Sequence, residues 1–259
     1  MHKIGIMLDP TVEPRLFVTK MKEQGFAASF TELFDDEKLL QVADLFAKEG
    51  IDYDEIHSPF GHINDIWLAG EDGDQMYREL AHTVDMCEAT GVSATVVHLS
   101  SGNTPPPMSD VGLLRYDRLI NHAAKKGVRI AFENIRKLYN VAYMMEMYPN
   151  DPTVGFCWDV GHEHCYTRSW EFVPLFGKRM ICNHIHDNDG VQDKDQHLIP
   201  FAGSVNYARV AEHFRNSGFE GPLMLEVSLD SARGNMDLDT YMRRNAEAAK
   251  RLRTLVDGE

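Results

Sequence analysis

Seven ionisable side chains stand at the ends of short apolar runs in this 259-residue chain. His57 closes "DYDEIH", His98 closes "SATVVH", and Glu133 closes "RIAFE". Asp159 closes "VGFCWD" with His162 three residues on, His186 follows "ICNHI", and Glu226 follows "PLML". If these ends converge, carboxylates and imidazoles crowd into one space, where they desolvate one another and the like charges repel. A divalent cation removes that conflict. A set of two Glu, one Asp and one His offers mixed oxygen and nitrogen donors suited to Mn²⁺, Mg²⁺, Co²⁺ or Zn²⁺. Taken singly, each residue has a plainer role: a hydrogen-bonded strand-end histidine, a barrel salt bridge, or, for Asp159, the cap of a following helix. Taken together on successive strands, they are hard to explain separately.

The segment "NHIHDNDGVQDKDQHLIPFAG" (183–203) adds His184, Asp195 and His197. His184 lies two residues before His186, so strand alternation puts both on one face, with His184 as support for His186. Asp187, Asp189 and Asp193 read as solvated loop charges. Asp195 and His197 are either part of a substrate-closing loop or further metal ligands. His2, His82, His122 and His213 lie off the strand ends and read as structural.

Eight β-branched, apolar runs alternate with segments of 3.6-residue apolar period such as "DDEKLLQVADLFAKEG" and "QMYRELAHTVDMCEATG". Gly50, Gly91, Gly127 and Gly218 punctuate the helical segments at their C-terminal ends. This order and length predict an α/β fold, a single (β/α)₈ TIM barrel spanning 1–259 as one domain. A doubly wound open sheet is the alternative, but no GxGxxG follows the first strand. The longer connections follow the third, fourth and seventh strands, on the face where barrel enzymes place their chemistry.

Composition narrows the function class. The 43% hydrophobic content suits a globular core, and no apolar run is long enough to span a membrane. The N-terminus lacks a signal-peptide pattern, and the four cysteines form no CxxC pair; both suggest a cytoplasmic protein with reduced thiols. A formal charge of −14 makes a nucleic-acid partner unexpected, since such binding draws on a basic face. A small, mostly neutral molecule fits better, and homo-oligomerisation stays open.

The stretches "IHSPF", "VVHLSSG", "IAFENI", "CWDVGH", "HIHDND" with "DQHLIPFAGSVNY", and "PLMLEVS" together resemble the xylose isomerase-like barrel superfamily, in particular its sugar phosphate isomerase/epimerase branch. The resemblance implies one metal, Mn²⁺ foremost, held by Glu133, Asp159, His186 and Glu226. It implies a sugar or sugar derivative as substrate, contacted by His162, with His57, His98 and Trp67 as further candidates and Phe60 and Phe201 as candidate apolar wall. The chemistry implied is proton transfer next to a carbonyl through a metal-stabilised enediolate, with Glu133 and Glu226 as the two acid/base groups. Endonuclease IV belongs to the same superfamily. Its added ligands match His57, His98, His162, Asp195 and His197, which implies an alternative centre of two or three Zn²⁺ and a hydrolase or phosphodiesterase. A metal-dependent lyase or dehydratase would use the same enolate chemistry. The superfamily's "PGxG" turn is "PFAG" here, with Phe201 and Ala202 in place of its usual residues.

Overall fold

The β-branched and aromatic runs form eight parallel strands in a computed structural model that describes residues 1–167, 170–227, 229 and 236–258. They are β1 (Ile4–Ile6), β2 (Ala28–Glu32), β3 (Asp52–His57), β4 (Ala94–Val97), β5 (Arg129–Glu133), β6 (Val154–Asp159), β7 (Met180–His184) and β8 (Leu223–Leu225). Each strand from β2 to β6 pairs with its sequence neighbours, and β1 pairs with both β2 and β8. The last gap closes just beyond β7, where Ile185 bridges Leu225 and its N–H donates to the Met224 carbonyl at 2.9 Å. The result is a (β/α)₈ barrel.

Around it lie α1 (Pro14–Gln24), α2 (Asp36–Glu49), α3 (Glu71–Thr90), α4 (Asp110–Lys126), α5 (Leu138–Met147), α6 (Val160–Tyr166), α7 (Val173–Phe176), α8 (Tyr207–Ser217) and α9 (Leu238–Asp257). Local chemistry starts and stops them. The side chains of Asp35, Ser109 and Asp237 accept from the first-turn N–H groups of Lys38, Gly112 and Thr240. Gly50, Gly91, Gly127 and Gly218 close α2, α3, α4 and α8 in the left-handed conformation. The apolar faces of the helices bury Phe17, Phe46, Leu80, Leu119 and Phe214 against the outside of the barrel. Each such side chain contributes about 1.5–3 kcal/mol.

The barrel interior explains where the chemistry sits. Its lower layers hold Phe30, Val96, Ala131, Cys157, Cys182 and Met224, all buried. Two residues further along the same strands, on the same face, come Glu32, His98, Glu133, Asp159, His184 and Glu226. The packed core therefore passes directly into a polar layer at the C-terminal mouth. All four cysteines are free and buried. Among the described residues no helix is long and apolar enough to cross a membrane.

Candidate metal and active site

Glu133, at the end of β5, is the hub of the polar layer. Its Oε2 lies 2.8 Å from His98 Nε2 and 3.3 Å from His57 Nε2. Its Oε1 lies 3.0 Å from His162 Nδ1 and 3.4 Å from His184 Nδ1. Four groups of donor atoms result among the described residues, each within a span that one cation could bridge. They are His57, His98 and Glu133; Glu133, Asp159, His184 and Glu226; His162, His186, Asp195 and His197; and, deeper in the barrel, Glu55, Cys157 and His184. The structure thus brings every strand-end residue singled out in the sequence into one place.

Both histidines at the end of β7 approach the carboxylates. His184 Nδ1 lies 3.6 Å from Glu226 Oε2 and its Nε2 bonds to Glu55, whereas both ring nitrogens of His186 are buried without an aligned partner. Alternation puts both histidines on the inner face, but strand register sets the depth. His184 pairs directly with Asp159 across β6 and β7, whereas His186 stands one step further out. There His186 Nε2 lies 3.2 Å from Asp159 Oδ1 and stacks on the His197 ring at 3.9 Å.

Local structure holds these positions. Asp159 caps α6, its Oδ1 accepting from the His162 N–H at 2.5 Å, so one residue is both helix start and donor. Asn134 clamps its backbone, donating to the Asp159 carbonyl and accepting from its N–H, both at 2.8 Å. Gly161 leaves room for His186, since a Cβ there would lie 2.0 Å from the ring. Asp187 is fully buried rather than a solvated loop charge. Its carboxylate accepts from the N–H groups of Asn188, Gly203 and Val205 and folds the loop back on itself. Asp193 lies at the mouth, where Asn103 donates to it and Arg136 pairs with it at 3.4 Å.

Does the donor set fit a metal? His98 Nε2, His162 Nδ1, Asp159 Oδ2, Asp195 Oδ1 and Glu226 Oε2 are all buried with no aligned hydrogen-bond partner. Each nonetheless lies within 4 Å of an oppositely charged or polar group. Buried polar atoms that approach one another without bonding aim at common points, as ligands of a cation do. The electrostatics agree. Burial alone would raise the Glu133 carboxyl, but the imidazoles of His98, His184 and His162 outweigh it and hold it well below the usual range. Burial pushes Glu226 the other way, above the usual range, against the pull of His184 and His197. For His197, burial is outweighed by Glu226 and Asp195, and its pKa rises to about 9.

A cavity of about 390 Å³ opens above these donors. Glu32, Phe60, Ser100, Ser101, Arg136 and Tyr166 form its upper wall, and Arg136 stacks over the Tyr166 ring at 3.8 Å. Two expected wall residues are elsewhere. Trp67 is buried behind the site, its indole N–H donating to the Leu99 carbonyl at 2.8 Å and its ring against Tyr116. An indole seated on a helix-facing bed cannot reach the mouth. Phe201 packs on Tyr207 at 4.3 Å beneath the guanidinium of Arg251. The four off-site histidines pair outside the mouth, with Asp257, Asp36, Asp85 and Glu171. Sequence reasoning missed Glu55, which accepts from His184, and the wall residues Glu32, Arg136 and Tyr166. Glu55 shares the inner face of β3 with His57, and that period-two relation was the available signal.

A family model described as "Xylose isomerase-like TIM barrel" matches residues 17–255. The uncharacterized protein y4fM of Sinorhizobium fredii is 28% identical over 200 residues, covering 68% of this chain and 60% of that protein. The uncharacterized protein MJ1311 of Methanocaldococcus jannaschii is 26% identical over 118 residues, 42% of this chain and 40% of that protein. The matches therefore span less than two thirds of either relative. Among solved structures, a D-tagatose 3-epimerase-like protein superposes with a TM-score of 0.75 at 18% identity, covering 99% of this chain and 98% of that one. D-psicose 3-epimerase from Clostridium cellulolyticum, solved with D-tagatose, gives 0.79 at 11% identity, with 99% of each chain covered. D-allulose 3-epimerase from Methylomonas sp., in complex with D-allulose, gives 0.77 at 15%, covering 97% and 98%. At these identities the structural likeness establishes the fold.

Proposed function

The chain belongs to the xylose isomerase-like TIM barrel family, and from that premise we propose that it is a metal-dependent sugar isomerase or epimerase. The observation that carries this reading is the placement of two glutamates, Glu133 and Glu226, around a point shared with Asp159 on the floor of a cavity of about 390 Å³. That volume suits a small molecule. Arg136 is the one Lys or Arg among the described residues of its lining, which favours a polyol over a chain of phosphates. The sugar epimerases among the structural neighbours support the same substrate class.

Glu133, Asp159, His186 and Glu226 would hold the cation, Mn²⁺ foremost for a donor set of three carboxylates and one imidazole; the ring nitrogens of His186 are buried without a partner, while His184 bonds to Glu55 behind the site. When bound, it would supply Lewis-acid stabilisation of the negative charge that grows on a substrate carbonyl oxygen. One glutamate removes the proton from the carbon beside the carbonyl, leaving an enediolate. The other returns a proton, to the opposite face in an epimerase. Each transfer contributes a factor of about 10²–10⁴. His162, held between Asp159, Glu133 and Asp195, orients a substrate oxygen. Phe60, stacked on His98 at 4.4 Å, shields the reacting carbon from water.

The test is a panel of ketoses and aldoses incubated with the Mn²⁺-loaded protein in heavy water. Deuterium should enter beside the carbonyl of at least one sugar, and Glu226→Gln should abolish the exchange. No exchange with any sugar, together with cleavage of a phosphodiester, would overturn the reading.

A specific observation favours a second reading. Beside the group of Glu133, Asp159, His184 and Glu226 lie further donor groups at the mouth, one sharing Glu133 and one including Asp195 and His197. Such an arrangement could hold two or three Zn²⁺ for hydrolysis of a phosphate ester. Metal analysis separates the two: one ion per chain supports the sugar enzyme, and two or three tightly held zinc ions support the hydrolase.

A further inference from the structure

The upper wall of the cavity holds a polar corner that no step above uses. Arg136, just past β5, sets its guanidinium 3.8 Å over the Tyr166 ring, which fixes the plane of its donors. Its ion pair is loose. Nε lies 3.4 Å from Asp193 Oδ1, against about 2.7–2.9 Å for a close charged pair, and Asp193 also accepts from Asn103 at 3.2 Å. The guanidinium donates no other hydrogen bond among the described residues, so its two Nη groups face the cavity unmatched. Just past the neighbouring strand β4, Ser100 and Ser101 line the same cavity. Asn64 holds the Ser101 backbone in place, donating to its carbonyl and accepting from its N–H, both at 2.9 Å. Ser100 is buried, and neither serine hydroxyl has a hydrogen-bond partner among the described residues.

We infer that Arg136, with the hydroxyls of Ser100 and Ser101, forms a subsite for one carboxylate, so that the substrate is a sugar acid whose charged end lies away from the reacting carbonyl. A guanidinium drawn partly out of water is costly unless its charge is answered, and a pair at 3.4 Å answers it incompletely. Its planar fork matches the two oxygens of a carboxylate, and the serine hydroxyls can donate to the same oxygens. A neutral hydroxyl would take one donor and leave the charge unmatched. A phosphate brings nearly two negative charges to a corner with one positive charge. Asp193 pairs with Arg136, and Asp195 accepts from the Tyr166 hydroxyl at 3.2 Å, so both would repel the second charge. The floor glutamates face the reacting end, which leaves the upper wall to the other end. The sugar half of this inference rests on the function proposed above; the anion corner stands on Arg136 and its neighbours.

The experiment compares ketohexoses that differ only at C6: D-fructose and D-tagatose, their uronates with a carboxylate there, and their 6-phosphates. Calorimetry on the full chain with Mn²⁺ present gives a Kd for each and needs no turnover. A uronate should bind about 10- to 100-fold more tightly than its parent sugar, the range of hydrogen bonds to a charged group, and more tightly than the phosphate. Arg136→Gln should bring the ratio of uronate to parent close to one, and Arg136→Lys, which keeps the charge but loses the fork, should recover part of it. A purely structural role would lower the melting temperature and weaken all the sugars alike. No binding of either uronate, equal binding of uronate and parent, a preference for phosphate, or a ratio unmoved by Arg136→Gln would each overturn the inference. Deuterium exchange into a neutral ketose alongside any of these would leave the isomerase reading standing and remove only the carboxylate subsite. Uronate binding that depends on Arg136, without exchange into any sugar, would do the reverse.

Discussion

The donors rooted in strands and those carried by the connection after β7 reach the same cavity by different means. Glu133 and Asp159 end β5 and β6, and His57 ends β3. Ladder register fixes their depth: His57 is paired with Glu32 and Val96, Glu133 with Cys157, and Asp159 with His184. Their side chains are 5% exposed or less. Asp195 and His197 hang instead on residues 185–206, and their side chains are 19% and 27% exposed. Among the described residues, the non-glycine positions with positive φ are Asp193, His197 and Phe201, all in this connection. Strand ends supply precision because the sheet cannot shift one residue alone. The loop supplies reach, at the expense of backbone strain.

Substitutions can break or sharpen this contrast, and the largest effect belongs to the strands. Glu133→Gln should lower turnover by about 10²–10⁴-fold and remove bound metal, because Glu133 serves two donor groups at once. Turnover within tenfold of wild type would break the contrast outright. His197→Ala, on the loop, should cost less: about 10- to 100-fold in kcat/KM with metal retained at the strand-end group, measured by steady-state kinetics and metal content. Asp187→Ala comes next. It strands the buried N–H of Asn188 and the half-buried N–H groups of Gly203 and Val205, costing about 1–3 kcal/mol for the buried group and less for the others. A lowered melting temperature with the candidate donors of the strands intact would show that the loop is held independently of the barrel.

The smallest effect is expected at Glu171, whose carboxylate takes two bonds from Arg209 in the first turn of α8, just past the loop. Those bonds lower its pKa to about 2. Its stabilisation is therefore full above its ordinary pKa near 4.5 and lost as pH falls toward 2. Glu171→Gln should lower the melting temperature slightly at pH 7, since an exposed pair contributes about 0–1 kcal/mol. The difference should vanish near pH 2, as thermal scans across pH would show.

The same contrast describes what the sequence reveals. Strand period and glycine punctuation make the barrel readable, and strand ends make Glu133, Asp159, His57 and His98 readable as neighbours. Period two cannot choose between His184 and His186, because both satisfy it; their hydrogen bonds differ only in the folded chain, where Glu55 takes His184 and the His186 ring nitrogens have no partner. Asp187 looks like any acidic loop residue until its carboxylate is seen folding the chain over itself. Trp67 follows a strand end, as a wall residue should, but its direction depends on a 3₁₀ turn over Ile63–Trp67 that apolar pattern does not encode. Glu55 is hidden by its type, since an acid inside a strand pattern reads as exposed until its partner is known.

The three left-handed residues have one more consequence. Each non-glycine residue held at positive φ costs about 1–3 kcal/mol, which the contacts around it must outweigh. Asp193, His197 and Phe201 concentrate that cost in one connection, while the described strands beneath hold no non-glycine residue at positive φ. A glycine at any of the three should relieve the cost locally and leave Glu133 and Asp159 in place, because strand pairing sets their depth.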